Sequence, residues 1–72
     1  MNLDQELISA HQANDLFRLA ELYQQVADEA FMRGEVDAGC FYLTHGYIFA
    51  LEANHPDCSM IHTRLVTYGR EN

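Results

Sequence analysis

The sequence contains no lysine and no tryptophan, and four scattered arginines supply its fixed positive charge. Against eleven acidic residues they leave a formal net charge of −7 with the histidines neutral. Proteins neutralise phosphate groups and anionic lipids with clustered lysine and arginine. This composition therefore argues against a nucleic-acid partner and against a membrane surface. A basic or apolar protein partner fits the charge better.

The sequence also lacks a long apolar run. No stretch of about 20 apolar residues occurs, so we expect no membrane-spanning segment. The first residues carry acids where a signal peptide carries a basic segment, so we expect no export. Only two cysteines are present, Cys40 and Cys58. We expect both thiols to be reduced in a cytoplasm, and a bridge between them stays open as the alternative.

Proline and glycine are scarce as well, with one proline and four glycines in 72 residues. No Ser/Gly-rich linker interrupts the chain, so residues 1–72 are predicted to form one small helical domain. At this size a core supplies only a few kcal/mol of net stability. The helices must therefore pack efficiently, or the chain must associate.

What the sequence does contain is helical periodicity, with no alternating pattern typical of strands. It predicts an all-α fold, an antiparallel bundle of three to four helices with a central helical hairpin. The predicted helices lie at about residues 3–12, 15–33, 36–53 and 56–69.

Capping residues set the predicted boundaries. Asn2 with Gln5 resembles a capping box at the first helix. Asn14 or Asp15 offers a new N-cap, which favours a break there, while one continuous helix over 3–33 is the alternative. Gly34 is a C-cap candidate able to take positive φ. Pro56 suits the first turn of the last helix.

Residues 34–54 read as a turn and a helix that is apolar on nearly every side. A helix of this kind must be covered by its neighbours, so we expect the other helices to surround it. If that covering is incomplete, the remaining apolar surface is expected to drive homodimerisation. The apolar residues are Phe41, Tyr42, Leu43, Tyr47, Ile48, Phe49, Ala50 and Leu51.

The central helix pair resembles a tetratricopeptide repeat over residues 20–53. The positions at that family's spacings of large and small residues are Tyr23, Val26, Ala27, Ala30, Gly34, Gly39, Leu43 and Gly46. Small residues at Ala27, Gly39 and Gly46 would let the two helices approach closely. Ala30 departs from the family's usual large aromatic. The segment F-Y-L-T-H-G-Y-I-F-A-L-E-A also resembles that of small bacterial helical proteins, which implies no activity.

The resemblance implies a binding surface. In tetratricopeptide-like proteins the inner face of the first helix of each pair receives ligand peptides. Two acids, an amide and two large apolar groups on that face would suit a basic amphipathic segment. Phe31 and Met32, with Phe17 or Tyr42, would form an exposed apolar patch. Carried over by position, the protein-binding residues are Glu21, Gln24, Asp28, Phe31 and Met32.

The alternative function is a small metal- or redox-responsive regulator. Thiolate and imidazole groups are the usual zinc ligands, and five Cys and His residues fall in the C-terminal half of the chain. The regulator would use four of them, Cys40, His55, Cys58 and His62. Their spacing matches no established zinc signature.

No catalytic pairing is evident, since no base is placed beside a nucleophile and no glycine-rich phosphate loop occurs. The sequence therefore favours a cytoplasmic adaptor without enzymatic activity or cofactor. Its expected partner is a protein or peptide, including a second copy of itself.

Overall fold

A computed structural model describes residues 2–70 of the chain. It contains four α-helices: α1 (Leu3–Gln12), α2 (Leu16–Met32), α3 (Val36–Ala53) and α4 (Cys58–Thr67). No strand occurs among these residues. The predicted all-α helix bundle is confirmed.

Side-chain caps separate the first two helices. The carboxamide of Asn2 accepts the backbone N–H of Gln5 at 2.8 Å, and the carboxylate of Asp15 accepts that of Arg18 at 3.1 Å. Each cap satisfies one of the backbone donors that have no partner inside a helix. The chain therefore begins a new helix at Leu16. In the last connection Pro56 lies in the turn before α4, not in its first turn.

All four helices end in the same way. In each case the residue after the C-terminal turn has positive φ, a conformation that glycine adopts freely and asparagine tolerates. The next backbone N–H then donates to the carbonyl five residues earlier, as in a Schellman motif. The positive-φ residues are Asn14, Gly34, Asn54 and Gly69. The bonds run from Asp15 to Ala10, Glu35 to Ala30, His55 to Ala50 and Arg70 to Leu65, at 2.8–2.9 Å.

Helices α2 and α3 form a closely packed antiparallel pair. Gly46 lies against the first half of α2, where a Cβ would sit 3.4 Å from the Cβ of Tyr23. Gly39 lies against the second half, where a Cβ would sit 2.5 Å from the ring of Phe31. Both glycines are therefore points of close approach. The buried core at this junction consists of Ala20, Ala27, Leu43, Ala50, Ile61 and Leu65.

Helix α1 packs on α2 through a second cluster of buried residues, Ala10, Leu19 and Leu22. The ring of Tyr23 joins this cluster to α3. It lies 5.6 Å from the ring of Phe49, and its hydroxyl is 3.0 Å from His11 Nε2. Helix α1 is thereby tied to both central helices.

Helix α4 packs against α3 and runs parallel to α2. Three side-chain pairs connect α2 with the α4 region: Gln24 with Asp57, Asp28 with Arg64, and Phe31 with Tyr68. The residue numbers of both members increase from one pair to the next, so the two segments run in the same direction. Close backbone packing links only consecutive helices. Side chains alone therefore bridge α2 and α4.

The resulting molecule is a slab whose Cα atoms span 32 × 27 × 14 Å. Helix axes pack about 8–10 Å apart, so the thin dimension holds two helix layers. A slab of two layers leaves every helix with an outward face. The expectation that α3 is covered all round is therefore wrong: Phe41, Ile48 and Leu51 are 60%, 47% and 55% exposed.

The closeness of α3 to Phe31 can be tested at Gly39. Gly39→Leu places a side chain where the Phe31 ring already lies, and overpacking of this kind costs about 1–3 kcal/mol. We expect the free energy of unfolding, measured by urea denaturation, to fall by that amount. In the double variant Gly39→Leu/Phe31→Ala, part of the loss should be recovered relative to additivity.

Gly46→Ala is the matched control. Its added methyl would make ordinary contacts at 3.4 Å or more, and alanine is favoured over glycine inside a helix by about 1 kcal/mol. We expect unchanged or increased stability. If Gly39→Leu and Gly46→Ala were equally destabilising, the close approach of Gly39 to the Phe31 ring would be contradicted as the cause.

Candidate interaction surfaces

Four of the five predicted protein-binding residues lie on one side of α2, facing α4 and the turn before it. These four are Glu21, Gln24, Asp28 and Phe31, and all make contacts with that part of the chain. Met32 lies apart from them at the end of α2 and is 87% exposed. The predicted surface is thus partly occupied by the chain's own C-terminal helix.

The polar members of this set are all engaged. The carboxylate of Asp28 accepts a hydrogen bond from the Arg64 guanidinium at 2.6 Å. The amide of Gln24 donates to Asp57 at 3.3 Å. Glu21 accepts from Arg18 at 3.2 Å with one oxygen and lies 3.6 Å from a ring nitrogen of His55 with the other.

Phe31 is half-buried. Its ring stacks on that of Tyr68, with centroids 4.8 Å apart and planes within 5° of parallel. The Arg64 guanidinium lies 5.5 Å from the same ring. Phe17 and Tyr42, the expected companions of Phe31, pack elsewhere, over His55 and beside Tyr23 respectively.

Helix α4 adds residues to this surface that no sequence pattern indicated. Met60 and Tyr68 stay about half exposed, as does Phe17 on α2. The carboxylates of Glu21 and Asp28 on α2, and that of Asp57 in the turn before α4, lie on the same surface as these apolar groups. We name this surface the α2–α4 face and define it by Phe17, Glu21, Asp28, Asp57, Met60, Arg64 and Tyr68. Its α4 half had no local signal, because docking of α4 along α2 depends on the tertiary packing.

His55 occupies the turn between α3 and α4, and only 3% of its side chain is exposed. Its Nδ1 accepts the backbone N–H of Asp57 at 3.0 Å, and its ring lies 4.1 Å from that of Phe17. Among the described residues its Nε2 has no hydrogen-bond partner. The nearest carboxylate oxygen belongs to Glu21, 3.6 Å away. His55 thus ties the last turn to the start of α2.

The four residues of the metal hypothesis do not form a ligand set with one another. His62 lies beside the ring of Tyr47, and Cys40 and Cys58 are both free thiols. Within residues 2–70, no three His, Cys, Asp or Glu side chains come together as a metal site would require.

Each of the four arginines is paired with the chain's own carboxylates. Arg18 lies between Glu6 and Glu21, and the hydrogen bonds that it donates, to Glu6 first and Glu21 second, raise its pKa. A hydrogen bond to Asp37 likewise raises the pKa of Arg70. The other pairs are Arg33 with Glu35 and Arg64 with Asp28. No arginine of the described chain is left without an acidic partner.

A shallow groove of about 420 Å³ lies between α1 and α2. Arg18 is its one cationic side chain, and that group is already held by Glu6 and Glu21. The groove therefore offers no free charge to an anionic ligand. It is lined by Gln5, Glu6, Ser9, Ala10, Ala13, Asp15 and Arg18.

Comparison with known protein families, curated proteins and solved structures finds no match to this chain. In the described part of the chain, none of the helices has the length and hydropathy needed to cross a bilayer.

The structural role of His55 can be tested by substitution. His55→Ala removes the ring that packs on Phe17 and the acceptor for the Asp57 N–H. Loss of a buried hydrogen-bond partner and of buried ring contacts should lower the free energy of unfolding by about 1–3 kcal/mol in urea denaturation.

His62→Ala serves as the comparison, because that ring is only partly buried and makes no side-chain hydrogen bond to the described residues. We expect a loss about half as large or less. If His62→Ala lowered the free energy of unfolding more than His55→Ala, the role of the buried His55 ring as the link between the turn and α2 would be contradicted.

Proposed function

We propose that this chain is a protein-binding adaptor domain without catalytic activity, and that its partner is a basic amphipathic segment that docks on the α2–α4 face. One observation carries the proposal. The α2–α4 face combines half-exposed large apolar side chains with three carboxylates and a single cation. An amphipathic segment needs both kinds of contact, an apolar anchor and a charged partner.

The charge of the face supports a basic occupant. Glu21, Asp28 and Asp57 outnumber the two arginines that pair with them, Arg18 and Arg64, so the face carries a net negative charge at neutral pH. The chain contains no lysine, and its arginines are engaged. Complementary charge of this kind speeds association and selects among partners.

The contacts of Arg64 indicate how a partner's cation would be bound. Its guanidinium meets the Asp28 carboxylate at 2.6 Å and lies 5.5 Å from the Phe31 ring. Carboxylate and aromatic ring together form a favourable site for a planar cation. A basic side chain from a partner would find the same groups around Asp28, whose side chain is 55% exposed.

The arrangement of the helices also supports the resemblance to a tetratricopeptide repeat. The small residues Ala27, Gly39 and Gly46 are buried, and α4 runs parallel to α2 as the first helix of a following pair would. In that family the inner surface of such helices binds peptides. Two free thiols are consistent with the proposed reducing, cytoplasmic location.

The proposal predicts binding of a synthetic helical peptide of about 16 residues with leucines on one face and lysines on the other. Isothermal titration calorimetry should show binding that weakens as salt rises, because part of the attraction is screened. Asp28→Asn should raise the dissociation constant about fivefold, the effect of roughly 1 kcal/mol from one partly exposed ion pair.

Glu29→Gln is the matched control, since it removes one charge from the neighbouring position on another side of α2. It should leave the dissociation constant within about twofold of the parent value. A peptide of the same composition without amphipathic spacing should bind much more weakly. Equal effects of the two substitutions, or equal binding of both peptides, would show attraction to net charge alone and contradict the proposed face.

A further inference from the structure

We infer that binding of the basic partner is regulated by protonation of His55, whose ring lies between two carboxylates of the α2–α4 face. The neutral ring leaves the carboxylates of Glu21 and Asp57 available to the partner's cations, and the protonated ring pairs with both. The partner should therefore bind at neutral pH and be released in mild acid. The inference rests on the proposed function, because it assigns the regulation of that same face.

The hydrogen bond at Nδ1 determines which neutral form of the His55 ring the fold contains. Nδ1 is 3.0 Å from the backbone nitrogen of Asp57, which donates its proton to the ring. An imidazole nitrogen that accepts a hydrogen bond carries no proton, so the proton of the neutral ring lies on Nε2. Among the described residues this buried Nε2–H has no hydrogen-bond partner, and it lies 3.6 Å from a carboxylate oxygen of Glu21. The neutral ring thus keeps an unused donor close to an acceptor.

A second proton changes the contacts at both ring nitrogens. Once Nδ1 carries a proton it can no longer accept the Asp57 N–H, and it becomes a donor with the Asp57 carboxylate oxygen 3.8 Å away. Nε2–H has the Glu21 carboxylate at 3.6 Å. Both distances exceed an ordinary hydrogen bond by about 1 Å or less, so small side-chain rotations close them. A buried cation needs such partners, and the protonated ring has one carboxylate for each N–H.

The charged groups that face the ring come from α2 and from the turn before α4. Helix α2 contributes Glu21 and also Arg18, whose guanidinium donates to the other Glu21 oxygen at 3.2 Å. The turn contributes Asp57, and Gln24 donates to the same Asp57 oxygen that lies near the ring. The positive charge of Arg18 opposes protonation of His55, and the two carboxylates favour it.

Helices α3 and α4 contact His55 through its backbone. The His55 N–H donates to the Ala50 carbonyl at 2.8 Å, and the Cys58 N–H donates to the His55 carbonyl at 3.2 Å. Among the described residues, no carboxylate of α3 or α4 lies within 4 Å of the ring nitrogens. Cysteine thiols are ordinarily neutral below about pH 7.5. The carboxylates that respond to the His55 charge are therefore those of Glu21 and Asp57.

The protonated ring competes with the partner for these carboxylates. Glu21 and Asp57 supply two of the three carboxylates of the α2–α4 face. A positive charge within 4 Å of both weakens their attraction for a cation of the partner. The coupling is reciprocal, so a bound partner disfavours the proton on His55. Binding should therefore weaken as the pH falls and should release protons.

The other three histidines lack this arrangement. In the part of the chain that the structure describes, His11, His45 and His62 have no carboxylate within 4 Å of a ring nitrogen, whereas His55 has two. Histidine is the side chain that ordinarily changes its charge between about pH 5 and 8, while carboxylates stay charged there. A change in binding across this range therefore reports on histidines, and His55 is the one beside the carboxylates of the face.

The test is isothermal titration calorimetry of the full chain with the same leucine–lysine peptide, blocked at both termini, at about pH 7.5 and 5.5 and equal ionic strength. The peptide's lysines stay charged at both pH values. The dissociation constant should rise about five- to tenfold at the lower pH, because two exposed ion pairs are weakened. Near pH 6.5 the measured heat should depend on the ionisation enthalpy of the buffer, which shows that binding releases protons.

His55→Asn separates the charge of the ring from its hydrogen bond. The asparagine oxygen can accept the Asp57 N–H, as in an Asx turn, but the side chain does not titrate. The dissociation constant should then differ by less than about twofold between the two pH values. His45→Asn is the matched control, because it removes a histidine whose ring lies beside Tyr23 and Phe41. It should keep the pH dependence of the parent.

The parent chain gives a second readout that needs no variant, since His55→Asn also loses ring contacts with Phe17. Long-range ¹H–¹⁵N spectra distinguish protonated imidazole from each neutral form. At about pH 7.5 the His55 ring should carry its proton on Nε2. At about pH 6, addition of the peptide should move the His55 signals towards that neutral form, with the signals of the other three histidines unchanged.

The outcomes separate the regulation from the proposed function. No binding of the peptide at about pH 7.5 would overturn the proposed function and this inference with it. Equal binding at both pH values, a pH dependence that persists in His55→Asn, or His55 signals that ignore the peptide would overturn the regulation alone.

Discussion

The close approach of α2 and α3 is the contact on which the other parts of this structure depend. It is possible because Gly46 lets α3 lie against the backbone of α2 at Ala20, and Gly39 leaves room for the ring of Phe31. Ala20 and Ala27 of α2 are buried in the same core. Leu43 fills the space between the two helices. A chain of 72 residues has few side chains to spare for a core, so a tight junction with little wasted volume contributes much of its stability. Helices α1 and α4 then attach to the two sides of this pair.

Repeated helix ends determine how the chain folds back on itself. Ala10, Ala30 and Ala50 each accept the hydrogen bond that closes a helix, at intervals of twenty residues. A residue with positive φ follows each of them after four positions. Because the chain reverses after every stop, each helix packs closely on the one before it. The outcome is a thin layered molecule rather than a bundle around an enclosed centre.

A thin molecule has much surface for its volume, and here that surface differs in chemistry from place to place. The α2–α4 face combines carboxylates with half-exposed apolar groups. Residues 41–51 of α3 contain no Asp, Glu, Lys or Arg, and Phe41, Ile48 and Leu51 are exposed there. Of these two surfaces, the first is the one on which we propose that a basic partner docks, because complementary charge selects among partners.

Much of the fold was predictable because it depends on local rules. Helical periodicity and side-chain caps such as Asp15 act within one turn of the chain, and so do the helix stops at Gly34 and Gly69. The all-α class and the close contact at the two α3 glycines were read from such patterns. The placement of four of the five predicted binding residues on one side of α2 follows from helix geometry alone.

What only the tertiary structure decided is which apolar and polar groups meet across distant segments. Sequence showed α3 to be apolar on nearly every side but not that a two-layer slab leaves Phe41, Ile48 and Leu51 uncovered. It showed His55 as one of several histidines, whereas burial against Phe17 depends on α2 and the last turn coming together. The physical reason is the range of the forces: caps and periodicity act over a few residues, while burial is settled only when every helix has its neighbours.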